Sequence, residues 1–219
     1  MKSGLTELIF ILDRSGSMGG LEEETIGGFN SMLKKQSSET EAGEVIVTTV
    51  LFDDLYELLH DRINIKGIRP ITRKEYFVRG STALLDAVGK TIGKIVNAHR
   101  NTIEDERPEK VMFVITTDGM ENASKEYRYD KIKEMIEHQK DRYGWEFIFL
   151  GANIDAFDVA ERMGIARDKA ANFHADKQGM KMSLDSVNEA VSYMRQNREV
   201  SQSWKKDVDD DYKGRKPAR

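Results

Sequence analysis

Three oxygen-bearing side chains fall at alternate positions in the segment Asp13-Arg14-Ser15-Gly16-Ser17-Met18-Gly19-Gly20. In extended backbone alternate residues project to one side, so Asp13, Ser15 and Ser17 aim one carboxylate and two hydroxyls at a common locus. Gly16, Gly19 and Gly20 let the chain turn sharply past it. Two further segments carry groups of the same kind: Gly80-Ser81-Thr82-Ala83-Leu84 puts a hydroxyl at the start of a helical pattern, and Thr116-Thr117-Asp118-Gly119 puts a carboxylate just past a strand-like run. An all-oxygen donor set suits hard cations, so Mg²⁺, Mn²⁺ or Ca²⁺ is expected rather than zinc or copper. The four histidines, His60, His99, His138 and His174, are isolated and show no metal-ligand spacing.

For these segments to meet, the elements that carry them must end on one side. Apolar β-favouring runs alternate with stretches of helical spacing, the signature of a wound parallel sheet. Leu5 to Leu12 reads as a strand buried on both faces, and Ile26, Phe29, Met32 and Leu33 mark one face of a helix ending near Ser38. Val45 to Phe52 reads as a second strand. It continues through Asp53-Asp54 into Tyr56 to Ile63, a connection short enough for a hairpin but not for a parallel crossover of about a dozen residues. The third strand is therefore expected to be antiparallel, at the sheet edge. A helix through Leu84, Leu85, Val88, Ile92, Ile95 and Val96 follows, then strands at Val111 to Ile115 and Trp145 to Leu150 with a helix around Ile132, Met135 and Ile136 between them. Asp155 to Met163 predicts a short helix, Ala170 to Phe173 a small edge strand, and Leu184, Val187, Val191 and Met194 a last helix. Residues 1–203 read as one domain and 204–219 as a charged, disordered tail. In such a sheet the ligand crevice lies beyond the carboxyl ends of the strands, where both carboxylate segments fall.

Composition narrows the function classes. With 219 residues, 39% hydrophobic and 33% charged, the chain has the profile of a soluble globular domain. It has no cysteine, which excludes disulfide scaffolds, thiol nucleophiles and thiolate zinc sites, and points to a reducing, cytoplasmic setting. The longest apolar run, Leu8 to Leu12, is too short for a spanning helix or a signal-peptide core, so no targeting or membrane segment is expected. Thirty-four basic against thirty-eight acidic residues give a net charge of -4, with no global drive toward nucleic acid.

These segments resemble the von Willebrand factor A domain with its metal-ion-dependent adhesion site. Asp13-x-Ser15-x-Ser17, Thr82 and Asp118 match that family's DxSxS, threonine and aspartate elements in the family's order, and the resemblance runs over roughly Leu5 to Val200. Gly80 to Ala87, Thr117 to Gly119 and Phe147 to Asn153 are similar to stretches of stand-alone intracellular bacterial or phage members. The resemblance implies an α/β, three-layer Rossmann-like fold with about six strands in the order 3-2-1-4-5-6 and helices on both faces. It implies one divalent metal at the pentad Asp13, Ser15, Ser17, Thr82 and Asp118, with hydroxyls binding directly and aspartates acting through water. An open coordination position would then take an Asp or Glu carboxylate from a protein partner. On this reading the chain is a monomeric protein-binding module and not an enzyme, with no nucleic-acid or membrane partner.

Other readings of the same residues stay open. DxSxS alone fits a capped turn before a helix. Gly89-Lys90-Thr91 ends like a P-loop, but Leu84 stands where its first glycine belongs. A nucleophile elbow fails because Asp13 or Ser15 fills the preceding glycine position. A Mg²⁺-dependent phosphohydrolase of haloacid-dehalogenase type would present Asp13 and Asp118 similarly, and Asp118-Gly119-Met120-Glu121-Asn122 loosely resembles its later motif, yet Ser15 stands where its second acid belongs. A scaffold with a non-functional site is the third alternative. Arg14, Met18, Asp53, Asp54 and Met120 are the candidate partner-binding rim. Against that role, Arg14 reads equally as a solvated side chain, Met18 and Met120 as gap fillers, and Asp53-Asp54 as hairpin-turn residues. Tyr127, Arg128 and Tyr129 fit either the rim or helix packing.

Overall fold

A computed structural model describes residues 1–196 and 200–215. The elements in chain order are β1 (Lys2–Asp13), α1 (Glu22–Ser38), β2 (Glu44–Phe52), β3 (Tyr56–Asn64), α2 (Leu84–Arg100), β4 (Pro108–Thr117), α3 (Tyr129–Tyr143), β5 (Glu146–Gly151), α4 (Ala156–Arg162), β6 (Ala170–Asn172), α5 (Lys177–Arg195) and α6 (Lys206–Gly214). The six strands form one sheet in the order β3-β2-β1-β4-β5-β6. All neighbours are parallel except β2 and β3, which pair antiparallel as the short connection requires.

β1 holds the centre because its side chains are apolar on both faces. Leu8, Phe10 and Leu12 meet Phe29 and Met32 of α1 and Leu184 and Val187 of α5 on one side. Ile9 and Ile11 meet Leu84, Val88 and Ile92 of α2, Phe113 of β4 and Ile132 of α3 on the other. A strand that alternated apolar with polar could not be covered on both faces in this way. The parallel pairing of Asp13 with Phe52 and of Leu12 with Thr116 brings the ends of β1, β2 and β4 to the same edge. This is the register that positions the site.

The segment read as a disordered tail is corrected through Arg215. Trp204 is 1% exposed and its indole N–H donates to the Asp168 carbonyl at 2.9 Å. Val208, four residues on, is fully buried, so one apolar stripe anchors α6. The Lys205 ammonium donates to the Arg167 and Ala170 carbonyls at 2.7 Å each. The high charge density of the sequence masked a two-residue anchor. Residues 216–219 of the expected tail lie outside the described residues.

Arg215 closes this segment by donating to Asp176 at the start of α5 (2.6 Å) and to Asp211 (2.8 Å). The hydrogen bonds from Arg215, opposed by partial burial and helped by the Gly179 N–H, hold the Asp176 carboxyl at about 2. A depressed acid stabilises the fold above its ordinary value of 3.8, and that contribution is lost as the pH falls through about 2. Acidification over that window is expected to shift the ring resonances of Tyr212, which stacks on His174 with centroids 4.8 Å apart. Arg215→Gln should remove that transition. Trp204→Ala should cost about 3–5 kcal/mol in urea unfolding, and a loss below about 1 kcal/mol would show that α6 does not share the core.

Candidate functional site

Asp13 is the last residue of β1, and its carboxylate is fully engaged by the protein. Oδ1 accepts from the Ser15 N–H at 2.7 Å, Oδ2 from the Thr117 hydroxyl at 2.5 Å, and the Asp13 carbonyl from the Tyr76 hydroxyl at 2.5 Å. The Ser15 contact folds the chain back on itself as an Asx turn, which aims the two serines across the sheet edge. Around this pivot the remaining predicted residues converge. Ser15 Oγ lies 3.1 Å from Ser17 Oγ and accepts from the Thr82 hydroxyl at 3.1 Å, and Ser17 donates to Asp118 Oδ1 at 2.6 Å. Asp118 Oδ2 is buried with no hydrogen-bond partner.

Each group is held by its own support. The Thr82 N–H donates to Asn122 Oδ1 at 3.0 Å, and the Thr82 carbonyl accepts from the Asn122 and Ala123 N–H groups. Glu121 accepts from the Leu85 N–H at 2.9 Å and from Ser124, tying the loop after β4 to the first turn of α2. Asp86 accepts from the Lys125, Glu126 and Tyr127 N–H groups at 2.9 Å each. Burial alone would raise the Asp86 carboxyl, but these three bonds outweigh it and hold it below the usual range. Gly80 takes φ +66°, and its carbonyl accepts from the Gly16 N–H at 3.2 Å; a Cβ there would lie 1.9 Å from Asp54 Oδ1. A side chain at position 80 therefore meets both backbone strain and a clash.

The electrostatics fit a cation. Burial pushes Asp13 up to about 6 against the hydrogen bonds from Thr117 and Ser15, and burial likewise raises Asp118 against the Ser17 hydroxyl. No cationic side chain is among the main influences on either group. Two buried acids without a countercharge are costly, and three neutral hydroxyls cannot supply one. Among the described residues no three His, Cys, Asp or Glu side chains cluster at metal-holding distance, so a metal here would depend on Ser15, Ser17 and Thr82 as well as on Asp118 Oδ2.

The structure redraws the rim. Arg14 is fully buried: Nε donates to Asp53 Oδ2 at 2.9 Å, and Nη2 sits 2.7 Å from Glu57 Oε2 in an ionic contact without hydrogen-bond alignment. Alternation sends this side chain away from Asp13 and under the β2–β3 hairpin. Asp53 is buried too, accepting from Arg14, from Arg79 at 2.8 Å and from the Leu55 N–H at 2.7 Å. Its burial would raise it, but the bonds from Arg79, Leu55 and Arg14 prevail and hold it below the usual range. Met18 is 1% exposed and packs in the core beside Leu21 and Phe29. These three are corrected from rim to foundation, whereas Asp54 and Met120 are exposed. Tyr127 packs over Gly89, where a Cβ would lie 2.4 Å from its ring, and Tyr129 lies under the Arg162 guanidinium at 3.7 Å.

Thr117, Tyr76, Asn122, Glu121 and Asp86 are positioning residues that the motif reading passed over. Thr117 carried one signal, its place beside Asp118 at a strand end. Asp86 carried another, an acid in the first turn of a helix. Tyr76 carried none, because it lies in a polar stretch with no periodicity.

No family model matches the sequence, and no match was found among curated proteins. Solved structures do share the architecture. The von Willebrand domain of the type V pili tip protein Mfa5 from Porphyromonas gingivalis superposes with a TM-score of 0.61 at 11% identity, over 90% of this chain and 98% of that one. The PilB minor pilin from Streptococcus sanguinis gives 0.60 at 12% identity over 89% of this chain, and manganese-loaded TRAP from Plasmodium vivax gives 0.53 at 17% over 84% of this chain and 73% of that one. The chain spans 62% of PilB and less than half of some other solved chains of this kind. At these identities the likeness defines the fold: a von Willebrand factor A-like α/β domain.

The backbone geometry at the site is open to a direct check. Gly80→Ala should destabilise the chain by about 1–3 kcal/mol, while Gly93→Ala, in open space on α2, should stabilise it by about 0.4–1 kcal/mol. Urea midpoints of the two variants moving in the same direction would contradict the φ assigned to Gly80.

Proposed function

We propose that the chain is a divalent-metal-dependent protein-binding module. One observation carries the reading: three hydroxyls from two separate segments form a hydrogen-bonded chain, Thr82 to Ser15 to Ser17, that ends on Asp118, whose second carboxylate oxygen is buried and unpartnered. Ser15, Ser17 and Thr82 would hold the ion together with Asp118, and Asp13, its oxygens committed to Ser15 and Thr117, would act on it as a nearby charge. Mg²⁺, Mn²⁺ and Ca²⁺ suit such donors, and the manganese-loaded TRAP structure supports a divalent ion in this fold. When bound, the ion supplies a Lewis-acidic centre. Few direct carboxylates leave it with affinity for an Asp or Glu brought by a protein partner. The stand-alone, monomeric, cytoplasmic bacterial or phage setting implied by the sequence resemblance belongs to the same proposal.

The proposal is of a binder rather than an enzyme. A phosphohydrolase would need a second acid beside Asp13, where Ser15 stands, and an acid free in the Asp118 loop. Glu121 instead spends its carboxylate on Leu85, Ala123 and Ser124. The hydroxyl that meets a carboxylate in the group, Ser17 on Asp118 at 2.6 Å, belongs to the set that would hold the ion, so in this proposal its role is binding and orienting.

Calorimetry with Mg²⁺ and Mn²⁺ should show one saturable site that Asp118→Ala weakens at least tenfold, or by about 1.4 kcal/mol. Thr82→Ala should weaken binding of an acidic partner more than binding of the ion. Equal metal affinity in wild type and Asp118→Ala would place the ion elsewhere. Metal-dependent turnover of phosphate esters, lost in Asp13→Asn, would promote the hydrolase reading.

A further inference from the structure

Eight large hydrophobic side chains are exposed among the described residues, and three of them stand on the loops that frame the site: Leu55 (56% exposed), Phe77 (42%) and Met120 (72%). The other five are dispersed over the termini, the outer strand β3, the α2–β4 connection and the end of α3. Scattered apolar side chains need no explanation, but a group gathered around one polar centre marks a contact surface. The connections to the centre are short. Leu55 exchanges hydrogen bonds with Asp53, whose carbonyl accepts from Ala83 next to Thr82. Met120 follows Gly119, at which a Cβ would lie 3.0 Å from Ser17 Oγ and 3.3 Å from Thr82 Oγ1. Phe77 follows Tyr76, the donor to the Asp13 carbonyl.

Phe77 is also braced. The Arg14 and Arg79 guanidinium carbons lie 5.2 and 5.3 Å from its ring centroid, and both arginines bond the same oxygen of Asp53. An exposed aromatic ring seated on an ion-paired platform loses little freedom on binding, the property of an anchor residue. Leu55 and Phe77 stand on segments fastened to the ends of β2 and β1, and Met120 on the loop after β4, on the other side of β1 in the sheet.

We propose that this crown selects a protein segment in which one Asp or Glu is flanked, within about two residues on either side, by large apolar side chains. The inference rests on the metal-site reading above: the ion takes the carboxylate, by charge complementarity, and Leu55, Phe77 and Met120 take its neighbours. It excludes uniformly acidic segments as preferred partners, because these would bring charge onto apolar surface.

The test selects phage-displayed random heptapeptides on the full chain with Mg²⁺ and elutes with EDTA, then measures the strongest synthetic peptide by calorimetry. The expected sequences carry one acid between Leu, Ile, Met or Phe residues. Phe77→Ala and Met120→Ser are each expected to weaken that peptide about fivefold or more, with Mg²⁺ affinity measured on the same proteins as the readout of an intact centre. Leu55→Ser, at an exposed turn, serves if Phe77→Ala fails to fold. EDTA-eluted acidic peptides without apolar neighbours, or peptide affinities within about twofold of wild type in all crown variants, overturn the crown and leave the metal centre standing. Mg²⁺ binding without any EDTA-eluted peptide overturns both the carboxylate-partner reading and the crown, and absence of Mg²⁺ binding overturns the metal site itself.

Discussion

The hydrogen bond from Thr117 to Asp13 is the contact on which the site depends. It joins the ends of β1 and β4, the two central strands, through a carboxylate that desolvation penalises. The Asx turn to Ser15 and the Tyr76 contact then fasten the serine loop and the segment before α2 to the same residue. A buried acid shared among three chain segments fixes their relative positions more strictly than apolar packing, because each bond has a direction as well as a distance.

A second buried acid, Asp53, does the same work one strand away. Arg14 and Arg79 converge on it, so the residue between Asp13 and Ser15 is anchored under the hairpin while its neighbours face the site. The two acids respond to burial in opposite ways: Asp53 is held low by guanidinium groups, while Asp13 and Asp118 have none and are raised. At this sheet edge Asp53 therefore has two guanidinium partners, while the hydrogen bonds to Asp13 and Asp118 come from neutral groups.

The sheet order and the antiparallel edge were legible in the sequence because they follow from apolar periodicity and from the length of the β2–β3 connection. The pentad was legible because its residue types and spacing are unusual and its segments fall at strand ends. Arg14 was not, since a residue inside a motif reads as exposed unless a partner such as Asp53, 39 positions away, is known to receive it, whereas the gap-filling reading of Met18 agrees with its place in the core. The ordered end of the chain was hidden for a similar reason. Trp204 and Val208 are two apolar residues among many charges, and their value lies in a groove that only the folded α5 and β6 create.

The central position of β1 has a consequence for how the chain comes into being. β1 ends at residue 13, its partner β2 spans Glu44–Phe52, but its other partner, β4, ends only at Thr117. During synthesis one edge of this central strand therefore waits unpaired while about a hundred residues are added, at ribosomal rates a delay of about 5–20 s. An open strand edge is a template for pairing with another chain. Early docking of α1 and the β2–β3 hairpin shields the opposite edge only, so the nascent protein passes through an interval of vulnerability to self-association that the finished sheet no longer shows.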